Sequence, residues 1–358
     1  MLQFIIRRLL LLFPVLIGIL MITFAISHAI KGDPCIVALG ERATPQACAS
    51  FRVRFGLNQS IPVQFGRYIE NVVQGDLGDS IQFARPVTEL ISERLPMTIE
   101  LTIGAMLFSS IFGILFGVLS ALKRNSAIDV FTMIGANIGV SMPVFWLGLL
   151  LAYLFALVLK GTPFYIPPSG RLSPAVSLVP LATLWHLQNS TGLSKFLISF
   201  ISNSAILNGI VTGNFDLLKN ALWHLILPCI AVGTIPMATI ARMTRSSLLD
   251  VLGQDYIRTA RAKGLYNRKV ITKHALRNAL IPIVTVIGLE TGALLSGAVL
   301  TETIFALPGV GTAMVNSILA RDYPVIQGFT IVVALIFVFA NLIVDVSYAF
   351  LDPRIRLE

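Results

Sequence analysis

Charged side chains are scarce in this chain. Asp, Glu, Lys and Arg make up 13% of its 358 residues, about half of the roughly 25% usual in soluble domains. That leaves too little polar surface for a soluble enzyme or a disordered scaffold. Cysteine is nearly absent as well, and three cysteines do not build a disulfide-held mini-domain. The four histidines (His28, His186, His224 and His274) are scattered. With no His-Glu-x-x-His and no cysteine pair at metal spacing, neither a metal site nor a hydrolase triad is expected. A phosphate-cradling loop is missing too, since Gly309-Val-Gly-Thr has no lysine after it. With no catalytic constellation, a membrane-bound enzyme is disfavoured. No cofactor is expected in this chain, so any uphill movement must draw on another subunit or an ion gradient.

Apolar residues are abundant: 55% of the chain, with a mean hydropathy of +0.82. The expected class is an all-α polytopic membrane protein. The formal net charge of +9 does not point to nucleic acid, because in such a protein the placement of cations matters more than their sum. Six stretches are long and uncharged enough to cross a bilayer: Leu9–Ile30, Leu101–Leu122, Val130–Leu159 with a kink expected at Pro143, Leu225–Ala241, Ala279–Thr301 interrupted by Glu290, and Val325–Val344 ended by Asp345. The first is too long for a typical signal-peptide core and lacks a cleavage site before Lys31-Gly-Asp-Pro. A seventh uncharged stretch, 196–215, carries Ser199, Ser202, Asn203, Ser204, Asn208, Thr212 and Asn214. It reads as an amphipathic surface or re-entrant segment. With six spans and both termini cytoplasmic, the inner segments hold Arg7, Arg8, Lys123, Arg124, nine Lys/Arg between Arg242 and Arg277, Arg354 and Arg356. A seventh span would put the nine-cation loop outside, against the positive-inside bias.

The expected organisation is a cytoplasmic anchor and first span (1–30), a periplasmic loop (31–96), spans two and three (97–160), a periplasmic or interfacial insert (161–223), a core with spans four to six (224–350), and a cytoplasmic tail (351–358). Cys35 and Cys48 lie in the first external loop. They can pair if it faces an oxidising compartment, the alternative being two free thiols. The core holds the basic loop 250–278, where Arg258-Thr-Ala-Arg-Ala-Lys263 favours a helix stopped by Gly264. A solvated loop that only sets orientation or binds anionic membrane lipid is the plain alternative.

The spacing Arg258-Thr259-Ala260-x-x-x-Gly264, with Pro282 eighteen residues later, resembles the EAA loop of bacterial ABC importer membrane subunits. Further stretches resemble the dipeptide/oligopeptide/nickel permease branch, most of all its dipeptide permeases. They are FIIRRLLLLFPVLIGILMITF followed by GDP, GDLGDS (75–80), SMPVFWLG (141–148), ARMTRSSLLDVLGQDYIRTARAKGL (241–265), HALRNALIPIVTVIGLETG, LTETIFALPGVG, DYPVIQG and DPRIR. The likeness runs nearly the whole chain. It departs at Arg258, where the generic motif has glutamate, and finds no motif in 172–222. The resemblance implies a type I ABC importer permease with six transmembrane helices in the bacterial inner membrane. It implies work beside a second, homologous permease subunit, two ATPase subunits that bind ATP and magnesium, and a periplasmic solute-binding protein that delivers a short peptide. Nickel or glutathione are alternative cargoes, and a stand-alone secondary transporter or channel is the competing class.

On this reading Thr259, Ala260, Ala262 and Gly264 form the contact with the ATPase, rimmed by Arg258, Arg261 and Lys263. Glu290, in mid-span, either lines the translocation path or packs at the interface with the second permease. An acidic side chain at that depth costs about 2.5–3.5 kcal/mol. Asn341 and Asp345, one turn apart, read as helix–helix bonding groups near the path. Glu302 and Arg321, flanking Pro308-Gly309, read as solvated surface residues open to a delivered binding protein.

Overall fold

The computed structural model describes residues 10, 14–25, 33–54 and 56–351. The remainder of the first expected span, Arg7, Arg8, His28, Arg354 and Arg356 lie outside the described residues. Helices carry almost everything: α1 (Pro14–Ala25), α2 (Val87–Leu122), α3 (Ala127–Ser141), α4 (Val144–Val158), α5 (Gly192–Asn203), α6 (Ala205–Thr212), α7 (Phe215–Leu252), α8 (Asp255–Ala262), α9 (Leu276–Gly297), α10 (Val310–Leu319) and α11 (Tyr323–Leu351). Among the described residues no strand forms, only an isolated bridge between Asp79 and Pro86. Four helices are long and apolar enough to cross a membrane, and up to six spans result if each of two bent pairs counts as one. The chain is therefore an all-helical, multi-pass membrane protein.

The centre is the parallel pair α2–α7, in register from Gly104 beside Cys229 to Gly117 beside Thr244. Small residues bring the two backbones together. A Cβ on Gly113 would stand 2.8 Å from the Met237 carbonyl oxygen, and one on Gly117 2.4 Å from Thr244 Cβ. Gly113-x-x-x-Gly117 thus works as a close-approach face. Ser109 reinforces it by donating to the carbonyls of Ala105 and Gly233, both at 2.6 Å. Prolines 96, 228 and 236 sit inside these helices, tolerated where neighbouring helices re-satisfy the freed backbone groups.

Span boundaries differ from those read in the sequence. Helix α2 starts at Val87, not near residue 97, because the charges at its start are paired: Arg85 with Glu93 at 2.8 Å, Lys195 with Glu89 at 2.6 Å and Arg171 with Glu100 at 2.9 Å. Helix α7 is 38 residues long, more than twice the stretch Leu225–Ala241. The third expected span is not kinked but broken: α3 and α4 meet at 104°. Pro143 lacks an N–H and pushes Met142 to extended backbone (φ −86°, ψ 129°), which stops one helix and starts the next.

The ambiguous stretch 196–215 is also a corner, with α5 and α6 meeting at 93°. Ser204 makes the corner. Its hydroxyl accepts the N–H of Leu207 at 3.1 Å and donates to Glu100 at 2.7 Å. Asn208 and Asn220 then hold the irregular chain of the insert through the backbone of Val179 and Ser173. The polar residues that made this stretch ambiguous are its anchors. In the segment between α1 and α2, Cys35 and Cys48 are joined by a disulfide, and Arg52 pairs with Asp33 beside it.

Candidate functional site

The basic loop forms α8 at one end of the α2–α7 bundle. Ile257 and Ala260 point inward and are buried, packed in one cluster with Leu248 of α7 and Val270, Ala275, Ala279 and Ile283 leading into α9. Asn278 Nδ2 braces the same joint by donating to the Tyr256 hydroxyl at 2.8 Å. The helix stops at Ala262 in a Schellman motif. The Gly264 N–H donates to the Arg261 carbonyl at 2.9 Å, the Leu265 N–H to the Ala260 carbonyl at 3.4 Å, and Gly264 is left-handed at φ +75°.

This orientation divides the expected contact residues by burial. Ala260 is turned into the protein and is not free for a partner, because an inward anchor is needed at one turn from Ile257. Arg258, Thr259, Arg261, Ala262, Lys263 and Gly264 are exposed, so a short cationic face stands on a rigid apolar base. Entry into α9 runs through one π-helical stretch, Val270–Ala275, a form that often marks functional positions in helices.

The other expected residues are not brought together. Glu290 is half-buried on α9 and has no hydrogen-bond partner among the described residues. Asn341, half-buried on α11, lies against Gly292, whose Cβ would stand 3.8 Å from its Oδ1. Two residues along a helix is about 200° around it, so Glu290 and Asn341 face different ways. Of Asp345 only the helical backbone lies within the described residues.

Sequence reading missed a set of buried carboxylates, each a junction between distant segments. Glu302 is fully buried rather than solvated. It accepts from the Thr98 hydroxyl at 2.6 Å and the Thr312 N–H at 3.0 Å, where it meets the positive N-terminus of α10. A Cβ on Gly309 would fall 2.3 Å from its carboxyl group, which is why the Pro308 turn carries glycine there. Asp322, next to Arg321, accepts from Ser80 Oγ at 2.5 Å and from the N–H groups of Ile81 and Gln82 at 3.1 Å. It thereby clips the segment between α1 and α2 to α11. Glu100 does the same for the insert, and Asp129 takes two bonds from Arg245 at 2.8 Å, joining α3 to α7. The available signal was Gly-x-Gly after a proline turn a few residues beyond an acid.

Residues 113–357 match the family model described as binding-protein-dependent transport system inner membrane component. Residues 1–102 match the N-terminal model of the same transport-system membrane component. The dipeptide transport system permease protein DppB of Alkalihalophilus pseudofirmus is 49% identical over 356 residues, covering 99% of this chain and all of the relative. That of Escherichia coli is 45% identical over 358 residues, covering 99% of each. The oligopeptide transport system permease protein AppB of Bacillus subtilis is 37% identical, covering 99% of this chain and all of the relative. A bundle of membrane-length helices, a cationic helix on a rigid stalk and full-length likeness to these permeases converge: the chain belongs to the family of binding-protein-dependent transport system inner membrane components.

Proposed function

We propose that this chain is the membrane-spanning permease subunit of an ATP-driven importer of short peptides, with α8 as its coupling helix. The observation that carries the reading is the build of α8. Its cationic face is exposed, with Arg258 held by Asp255 at 3.3 Å, while Ile257 and Ala260 lock it to both α7 and α9. A body so attached cannot tilt without moving the two spans that flank it, which is the requirement for a lever.

In this assembly a second, homologous permease completes the path, two ATPase subunits bind and hydrolyse ATP, and a solute-binding protein delivers the peptide at the opposite end. The basic loop and both termini face the cytoplasm of a bacterial cell, across its inner membrane. Closure of the ATPase pair on ATP moves α8 as a unit, and the spans switch between outward- and inward-open packings. Arg258, Arg261 and Lys263 orient docking, while Thr259, Ala262 and Gly264 offer a small, close surface. This chain holds no catalytic role. Glu290, half-buried at mid-span without a hydrogen-bond partner among the described residues, faces the path or the second permease, since an acid at that depth needs a polar surrounding.

The test is peptide uptake and ATP hydrolysis by the complete complex carrying Gly264→Leu. Insertion and assembly should persist while peptide-stimulated hydrolysis is lost; normal stimulation in that variant excludes α8 as the lever. Glu290→Gln separates the two roles of the acid, because unchanged transport removes it from the path.

A further inference from the structure

One cavity differs in chemistry from the large apolar grooves along the helices. It has a volume of about 350 Å3 and lies between the Ile61–Val73 helix, the Asp76–Asp79 turn and the start of α11. That is within the range of about 300–1,000 Å3 for small-molecule sites. The aromatic side is built by Phe24 of α1, whose ring stands 6.0 Å from that of Tyr68 and 5.2 Å from that of Phe65. The walls carry one cation, Arg67, and two carboxylates, Asp76 and Asp79. Asp76 accepts the Gly78 N–H at 2.8 Å. Neither Arg67 nor the Asp79 carboxylate has an ion-pair or hydrogen-bond partner among the described residues. The Tyr68 hydroxyl is buried without a partner, and burial pushes its pKa up, so it keeps its proton to donate.

Arg67, Asp76 and Asp79 are exposed at the mouth of this cavity, so water screens their attraction and no ion pair forms between them. Here separate supports hold them apart. Arg67 rides on a helix beside the Gly56 turn, its Nη1 4.0 Å from where a Gly56 Cβ would stand. Asp79 precedes the Ser80–Gln82 segment that Asp322 clips to α11. A site of this kind matches a molecule that carries one charge of each sign at its two ends.

We propose that this cavity receives a short zwitterionic peptide by its free ends, Arg67 taking the terminal carboxylate and Asp79, with Asp76, the terminal ammonium. The inference rests on the peptide-importer reading and gives it an entry station at the end of the molecule opposite α8. A guanidinium suits a planar carboxylate through two parallel bonds. The aromatic side made by Phe24 and Tyr68 takes side chains by area and not by shape, so the ends are recognised and the sequence is not.

The test uses the complete importer in phosphatidylglycerol nanodiscs without its solute-binding protein. Binding of radiolabelled dialanine is competed with unlabelled dialanine, its C-terminal amide and its N-acetyl form. Wild type should bind saturably and prefer the free dipeptide over either blocked form at least tenfold. Arg67→Gln should bind at least tenfold more weakly and cease to distinguish acid from amide, with Arg67→Lys restoring part of that preference. Asp79→Asn should cease to distinguish free amine from acetyl. Loss of discrimination, beyond loss of affinity, separates contact with the ligand from a structural role.

ATP-driven dialanine uptake by the same importer, with its binding protein restored, tells the two readings apart. If wild type imports the dipeptide yet both variants keep their preferences, the cavity proposal fails and the importer reading stands. If wild type imports no peptide, both fail. If wild type retains phosphatidylethanolamine through purification and Arg67→Gln loses it, the cavity belongs to a lipid headgroup and the proposal is overturned.

Discussion

Glu302 shows how much a single side chain organises here. Its carboxylate sits where three segments meet, taking the Thr98 hydroxyl of α2 and the first turn of α10 while Gly309 folds against it. Removing the acceptor leaves buried donors unsatisfied, at about 1–3 kcal/mol. Glu302→Ala should therefore lower the thermal midpoint of the purified complex, and Glu302→Gln, which keeps one acceptor, should lower it less. Gly309→Ala should cost a similar amount, about 1–3 kcal/mol by overpacking, read in the same melt. Equal midpoints for all three variants and wild type would show that the junction is not strained by either change. In the sequence Glu302 is one acid after an apolar run, indistinguishable from a solvated residue. Its burial depends on Thr98, more than two hundred residues away, and no local pattern reports such a pairing.

At the scale of the element, α8 was legible and its facing was not. A run of good helix formers ended by glycine marks both the helix and its stop, and the left-handed Gly264 agrees with that. The inward turn of Ala260 could not be read, because in an eight-residue basic helix the two small residues 260 and 262 look alike. Only the position of Ile257, one turn back, selects between them. A β-branched residue is the strictest probe of the turn: Gly264→Val forces a side chain into left-handed backbone at about 1–2 kcal/mol. It should raise the ratio of ATP hydrolysed to peptide imported while leaving the amount of complex in the membrane unchanged. The broken helix α3–α4 teaches the converse. Pro143 announces a disturbance, but a proline in a membrane helix gives either a kink or a break, and neighbouring chain decides which. Asp129 anchors the α3 side of that arrangement. Asp129→Asn should weaken the α3–α7 joint by about 1.5–3 kcal/mol, the usual worth of hydrogen bonds to a charged group, measurable as a lower midpoint in the same melt.

The whole molecule is unevenly finished. Within the most apolar window of α7 72% of residues are buried, against 22% for the span Asn267–Leu294 and 28% for Tyr323–Ile343. One central helix is thus enclosed by its own chain, while the helices that carry Glu290 and Asn341 present broad faces outward. Helical class and multi-pass character were legible because apolar length is a property of the sequence itself. The partition of those faces between lipid and other subunits was not, since it is settled by chains that are not this one.

The account stands on the basic loop being a cytoplasmic grip for the ATPases, and sided labelling tests that most directly. Cys229 is buried and Cys35 and Cys48 are bonded to each other, so a cysteine placed at exposed Thr259 reports with little background. Thr259→Cys should react with a membrane-impermeant maleimide in inverted vesicles stripped of ATPase subunits, be shielded once they are bound, and stay unreactive in right-side-out vesicles. Phe215→Cys, at the far end of α7, should show the opposite sidedness. Reaction of Thr259→Cys in right-side-out vesicles would contradict the account.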